Sequence, residues 1–402
     1  MEKIAVMSDI HFGYFSRSAS FSVPGEPRQD NTIGDCTLEK GLIELLKQQQ
    51  PDYIFVAGDL TSVASPQEFI FCEKKILQLA DEIALDHSHI LCCMGNHDID
   101  RRIIELWKSE NKVSEESEQL RKDRYQHIAS AAASICLDEI KEYSESKGEY
   151  PFTGVYEAKD FVLFALNTSW LCGPNQDYPH GKLSQKQFAW FRDTIKKYVD
   201  DDRKRIVMMH HHPFNYPYPT VGEDISSIAE GADFVESAEI NKVDLVVHGH
   251  RHHPKVSTRM SEVGYPVTYL CAGSLSVNAK QRSNGEIPNT IHFIEVDKNI
   301  DYFKLYNFSY TDADGWRVMK YSKATPMDGE MKVGKVFDKS KCRSAIEKYR
   351  DAPFTQLYWD DLDECLQFMT YHELLNMLNE QLASTHKVFG TFPDPVALYK
   401  EN

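Results

Sequence analysis

The sequence predicts an α/β (α+β) fold, and two observations predict it. Short apolar runs of strand length alternate with amphipathic helical stretches through the first part of the chain. Five polar clusters rich in Asp, Asn and His follow such runs in a fixed order: Asp9-Ile10-His11, Gly58-Asp59, Gly95-Asn96-His97-Asp98, His211-His212-Pro213 and Gly249-His250-Arg251-His252. Strands that end this way aim nitrogen and oxygen donors at one place.

Taken in order, Ile4–Met7 reads as a strand, Leu38–Gln49 as a helix, Tyr53–Ala57 as a strand and Glu68–Ala84 as a helix. The mixed run His89–Met94 precedes the third cluster. Between His11 and Leu38 lies a long polar loop with Gly13, Pro24, Gly25, Pro27 and Gly34, a length that suits a wall or lid of a site. Arg101 to about Gly148 is charged and helical in pattern, an insertion over the core rather than part of a sheet. Gly154–Tyr156 and Phe161–Asn167 read as strands joined by a turn at Lys159-Asp160. A helix is expected over Ser184–Tyr198, with Ser184 as N-cap and Phe188, Phe191 and Ile195 on one face. Later strands are Ile206–Met209, Val243–Val247, Val267–Cys271, Ile291–Val296 and Tyr302–Phe308. Thr311-Asp312-Ala313-Asp314-Gly315 reads as a linker. Beyond it Leu362, Leu366, Met369, Leu374, Met377, Leu378 and Leu382 recur at roughly helical spacing. The expected division is therefore a domain at 1–310, with the helical insertion at about 100–148, and a mostly helical extension at 311–402.

Composition narrows the function classes. The 402 residues carry a formal net charge of −16, which argues against a general duplex-DNA binder dependent on Lys and Arg. A small anionic substrate stays compatible, because bound metals reverse the local potential. Nine cysteines without a C-x-x-C pair suggest buried, reduced thiols and a cytoplasmic setting. The start, Met1 to Met7, is too short and too soon polar for a signal peptide, and no run of about 18 apolar residues suggests a membrane span.

The clusters differ in weight. Asp9 and His11 are two apart past a strand, so both side chains can face one side. Asp59 reads either as a helix-capping residue or as a carboxylate bridging two metals, and Gly58 lets the backbone pass close to the ions. Gly95–Asp98 suits a turn; as chemistry, Asn96 offers an amide oxygen, His97 faces substrate, and Asp98 orients the His97 imidazole. Three histidines in a row, His210 to His212, stand at a strand end before the strand-breaking Pro213. Four more imidazoles fall between His248 and His253. Imidazole with carboxylate and amide oxygen points to a pair of transition metals, manganese, iron or zinc.

The ordered set, spanning Asp9 to His252, resembles the calcineurin-like metallophosphoesterase superfamily, whose pattern is D-x-H, G-D, G-N-H-D/E, H-x-P and G-H-x-H. The resemblance implies a four-layer αββα sandwich of two mixed β-sheets flanked by helices. It implies one metal held by Asp9, His11, Asp59 and His252, and another held by Asp59, Asn96, His211 and His250. His211 is taken because the superfamily ligand sits two before the proline. His97 is then the substrate-facing histidine, and Arg251, inside a motif, the candidate phosphate clamp. Ser8–Gly13, Gly58–Thr61 with Gln67-Glu68-Phe69, Leu166–Ser169, and Gly181–Ser184 with Gln187 and Trp190 are similar to class III cyclic-nucleotide phosphodiesterases.

The implied reaction is in-line hydrolysis of a phosphodiester by a metal-activated water. A cyclic nucleotide or similar small nucleotide-like diester is the expected substrate. Alternatives are a nuclease on single-stranded ends, a phosphomonoesterase or phosphoprotein phosphatase, and a non-enzymatic scaffold. Residues 311–402 are the expected place for a homo-oligomer or protein-partner contact.

Overall fold

Runs such as Tyr53–Ala57 and Phe161–Ala165 contain no polar residue and are buried throughout, as strands covered on both faces must be. We describe the protein from a computed structural model, over residues 1–29, 37–100, 102–103, 153–172, 180–215, 226–260, 264–336, 338–390 and 394–400. The expected insertion over Arg101–Gly148 lies almost wholly outside the described residues.

The first sheet contains β1 (Glu2–Met7), β2 (Tyr53–Ala57) and β3 (Ile90–Cys93) in parallel. The α1 (Thr37–Gln49) and α2 (Pro66–Glu82) helices connect them. The second sheet is built around β5 (Phe161–Ala165), β6 (Lys204–Met208), β7 (Leu245–His248) and β9 (Val267–Cys271), again parallel. Its edges are the antiparallel β4 (Gly154–Glu157) and β8 (Lys255–Arg259). Helices α3 (Gln185–Ile195) and α4 (Gly231–Ile240) belong to this half. The antiparallel β10 (Asn289–Val296) and β11 (Phe303–Thr311) then return to the first sheet beside β1.

Alternation along the strands sets the layers. Phe161, Leu163, Ala165, Ile206, Met208, Leu245, Val247 and Leu270 join the core of the first sheet. Their neighbours Val162, Phe164, Val207, Val246 and Tyr269 pack instead with Phe188, Phe191 and Ile195 of α3 and Phe234 and Ala238 of α4. On the other side, Leu42, Leu46, Phe69, Cys72 and Ile76 bring α1 and α2 onto the first sheet. The result is helix, sheet, sheet, helix: two mixed sheets flanked by helices, as expected.

The helix starts follow local chemistry. Ser184 Oγ accepts the Gln187 N–H at 3.0 Å, capping α3 as its sequence suggests. Ser65 and Glu68 form a capping box on α2: Ser65 Oγ accepts the Glu68 N–H at 3.1 Å, and the Glu68 carboxylate accepts the N–H groups of Ser65 and Val63. Burial outweighs these bonds and pushes Glu68 up to about 7 from a usual 4.5. The folded state then keeps a proton that the unfolded chain has already lost, so this group's contribution to stability falls as pH rises from about 5 to about 8. The effect is on the order of 3 kcal/mol once Glu68 is fully ionised. We expect the melting temperature of the wild type to drop relative to that of Glu68→Gln across this range. Parallel curves would show that Glu68 is already ionised in the folded protein.

The expected junction at 310 is corrected. It falls within β11, which also pairs with β12 (Gly315–Val318) and β13 (Glu330–Val333). Thr311–Gly315 is thus a hairpin connection, and Trp316 beyond it donates its indole N–H to Leu38 O at 2.9 Å. Met319, Met327, Met331 and Val333 belong to the main core. A separate core begins at Cys342 and includes Leu357, Leu366, Leu374, Leu378 and Leu398. It joins α5 (Lys339–Glu347), α6 (Glu364–Gln367) and α7 (Tyr371–Leu382) to a three-stranded sheet of β14 (Phe354–Leu357), β15 (His386–Phe389) and β16 (Val396–Lys400). The last segment is therefore α+β rather than mostly helical.

Seven cysteines are described, and all but Cys365 are buried. Among the described residues no helix is long and apolar enough to cross a membrane.

Candidate dinuclear metal centre

The two parallel strand sets end at the same place. Asp9 and His11 leave β1, Asp59 leaves β2, Asn96 to Asp98 form a short turn after β3, His210 follows β6, and His250 and His252 follow β7. The loops are tied to one another: Asp9 N–H donates to Gly58 O and His11 N–H to Asp59 O, both at 3.0 Å. Across the sheets, Gly249 N–H donates to His210 O at 3.0 Å, and His250 N–H reaches the Asp9 carboxylate at 3.0 Å.

Backbone strain is concentrated here. Asp9, His11, Asp59, His250 and His252 all have φ between 49° and 77°, half of the ten non-glycine residues with positive φ among those described. Each costs on the order of 1–3 kcal/mol, so a site function has to hold them there. Gly95 and Gly249 permit the crowding: a Cβ on either would run into Asp59 or Asp9 respectively.

The side chains form two donor groups that share one residue. Asp9, His11, Asp59 and His252 place one ligand atom each within 4.8 Å of one another, and so do Asp59, His210 and His250. In the first group, His11 Nε2 lies 3.3 Å from His252 Nε2 and 3.6 Å from Asp59 Oδ2, while His252 Nε2 is 3.2 Å from Asp9 Oδ1. In the second, His210 Nε2 lies 3.3 Å from Asp59 Oδ2 and 3.1 Å from Asn96 Oδ1. His250 Nδ1 completes it, 2.9 Å from Asn96 Oδ1 and 3.2 Å from His210 Nε2.

These distances fit metal ions. Ligands about 2.1 Å from an ion stand roughly 3.0–3.4 Å apart in octahedral or tetrahedral geometry. Imidazole nitrogens paired this closely need a cation or a shared proton between them. Asp59 Oδ2 faces both groups, as a bridging carboxylate would. Burial holds His11 and His250 well below the usual imidazole range, so both are neutral donors. Burial also disfavours the His210 imidazolium, but the Asp59 carboxylate more than offsets it and raises His210 to about 9. Without an ion, a proton on His210 balances Asp59.

The structure brings together Asp9, His11, Asp59, Asn96, His250 and His252. The His211 ring stands 4.5 Å from that of His250, but its nitrogens turn to other partners rather than joining either donor group, and this corrects the register taken from the proline. His211 Nδ1 bonds Thr168 Oγ1 at 2.8 Å, and its Nε2 faces Cys172 Sγ at 3.9 Å. His210 takes the place. Its signal was present in the sequence, as the first polar residue after the run Ile206–Met209.

Asp98 is also corrected. Its carboxylate accepts the N–H groups of Gly95, Leu60 and Thr61 and the Thr61 hydroxyl. It therefore braces the loops that carry Asp59 and Asn96, and it does not orient His97. The His97 imidazole is set instead by Nδ1–H donation to Ser62 O at 2.8 Å, which leaves Nε2 as its basic nitrogen. His97 packs edge-on to His11, at 4.8 Å between ring centroids, and to Phe15, at 5.5 Å. Phe15 comes from the loop after β1, whose described start thus lines one side of the site. Arg251 lies between His250 and His252 in the chain, but its charge is felt at His212, His253 and Cys271.

Two facing mixed sheets that gather paired carboxylate, amide and imidazole donors at their strand ends define a metal-dependent phosphoester hydrolase with a dinuclear centre. A family model described as calcineurin-like phosphoesterase matches residues 2–254, and the chain belongs to that family. Among solved structures, the chain is similar to a dimetal phosphatase from Danio rerio at 9% identity and TM-score 0.48, covering 83% of this chain and 99% of that one. It is also similar to Vacuolar Protein Sorting 29 from Cryptosporidium parvum (10% identity, TM-score 0.34, 83% and 98% covered). A third likeness is to the NAD nucleotidase of Haemophilus influenzae (10%, 0.36, 87% and 59%). Among curated proteins none matches the chain.

Proposed function

We propose that this protein is a phosphodiesterase acting on a cyclic nucleotide or a similar small nucleotide-like diester. The observation that carries the reading is the single Asp59 carboxylate facing both donor groups. In this reading Asp9, His11, Asp59 and His252 hold one ion and Asp59, Asn96, His210 and His250 the other. When bound, the ions supply an activated water and Lewis-acid stabilisation of the phosphoryl oxygens. The chain's own contribution is to keep His11 and His250 neutral and to hold the two loops rigid through Asp98. His97 presents Nε2 to the phosphoryl or leaving-group oxygen, where its protonated form, with Nδ1–H still held by Ser62 O, can donate a hydrogen bond or a proton. Arg251, between the ligands His250 and His252 in the chain, is in this reading a phosphate-binding residue.

A nucleotide-like diester is supported by the aromatic wall. Tyr14 and Phe15 meet edge-on at 5.2 Å, and Phe15 continues to His97, so a base has apolar surface beside the reacting phosphate. The net charge of −16 supports a small substrate over a long polyanion. The test is a panel on purified protein with added manganese: bis(p-nitrophenyl) phosphate, p-nitrophenyl phosphate, cyclic nucleotides and single-stranded DNA. The expected result is turnover of the diester and a cyclic nucleotide. Turnover of the monoester alone, or of DNA in preference to cyclic nucleotides, would overturn the substrate class.

A further inference from the structure

Close to the dinuclear centre lies a second set of donor atoms that the proposed reaction does not use. His212 follows β6, His248 ends β7 and Cys271 ends β9, and all three are fully buried. His248 and Cys271 are register partners in the parallel pair of β7 and β9. The imidazoles of His212 and His248 are 4.6 Å apart between centroids, and Cys271 Sγ lies 3.9 Å from His212 Nε2. One nitrogen from each histidine and the sulfur all fall within 4.8 Å of one another.

We propose that His212, His248 and Cys271 form a third, mononuclear site for a zinc-type ion, separate from the two-metal centre. The donor set is the first reason. Two imidazoles and a thiolate are borderline-soft ligands that select zinc over magnesium, calcium or manganese. Convergence is the second. Three chain segments send a metal-binding atom to one buried point, whereas packing alone would be served by apolar side chains of similar volume. The Gly249 carbonyl, 3.7 Å from Cys271 Sγ, or a water is available for a fourth position.

Burial keeps the Cys271 thiol protonated, pushed up to about 12, while Arg251 favours its thiolate. As the metal–sulfur bond forms, Cys271 releases its proton to solvent, one proton per ion, with no change of oxidation state. The ion would fasten the ends of β6, β7 and β9 directly behind His210 and His250. The His212 and His250 rings are only 6.3 Å apart.

The test uses the full-length protein, stripped by chelation and titrated with Co²⁺ as a zinc substitute under reducing conditions. Three equivalents are expected to bind. One of them should develop thiolate-to-cobalt charge-transfer absorption in the near ultraviolet, which the N/O-ligated dinuclear centre does not produce. Cys271→Ser should lose that band and one equivalent while keeping two. Asp59→Asn should keep the band while holding fewer than two ions in the dinuclear centre, so the two sites are read separately. If Cys271→Ser does not fold, as judged by circular dichroism, His248→Asn replaces it, with at least a 10-fold weaker Kd for the band-forming ion expected. Absence of the band in folded wild-type protein at saturating cobalt, or its persistence in Cys271→Ser, would overturn the proposal.

Discussion

Asp59→Asn is expected to lower kcat on phosphodiesters by about 10³-fold or more, the equivalent of roughly 4 kcal/mol of transition-state stabilisation. The loss follows from geometry: Asp59 Oδ2 lies 3.6 Å from His11 Nε2 and 3.3 Å from His210 Nε2, one contact in each donor group. An amide has one acceptor oxygen and a donor in place of the second, so it cannot bridge two cations. Asparagine is the informative substitution because it tolerates the left-handed backbone at this position, where φ is 52°. Its Oδ1 can still accept the His97 N–H that Asp59 Oδ1 now accepts at 2.8 Å. The fold is therefore expected to survive, as a thermal melt would show, while elemental analysis shows fewer than two ions in this centre. Wild-type turnover by this variant would sink the two-metal reading.

How much of this was legible in the sequence depends on what each residue's position rests on. Asp9, His11, Asp59, Asn96, His250 and His252 could be found because strands buried on both faces read as apolar runs, and whatever follows such a run stands at the sheet end. The two layers were legible less directly, because odd and even positions of Phe161–Leu166 are equally apolar and do not say which face meets the partner sheet. Two errors arose where local wording was ambiguous. Asp-Ala-Asp-Gly suits a hairpin connection as well as a linker, so the boundary near 310 depended on pairing that only the folded sheet displays. Asp98 was expected to face its neighbour His97. In a tight turn, successive side chains diverge, and Asp98 points to the Leu60 and Thr61 amides across the gap between β2 and β3. In the His212, His248 and Cys271 group the two histidines stood out within their runs, but nothing in the sequence joined them to Cys271, 59 positions beyond His212.

The register of the histidine run is the second consequential test, and strand alternation decides it. Met208 packs toward the first sheet and Met209 toward α3 and α4. Continuing that alternation puts His210 on the side of the strand ends that carry Asp59 and Asn96. It puts His211 on the side of Thr168 and Cys172, which is where its imidazole lies. His210→Ala removes a nitrogen within 3.3 Å of both Asp59 and Asn96. It should weaken binding of one ion by more than the 10–100-fold typical of outer partners, with kcat/KM falling by at least about 10²-fold. His211→Ala should keep both ions. Its effect is on stability, about 2–4 kcal/mol from the buried cavity and from the Thr168 hydroxyl left without its imidazole partner. The two variants are thus expected to separate: one folded and metal-poor, the other metal-replete and less stable. The reverse pattern, with metal lost in His211→Ala and kept in His210→Ala, would return the ligand role to the residue two before the proline.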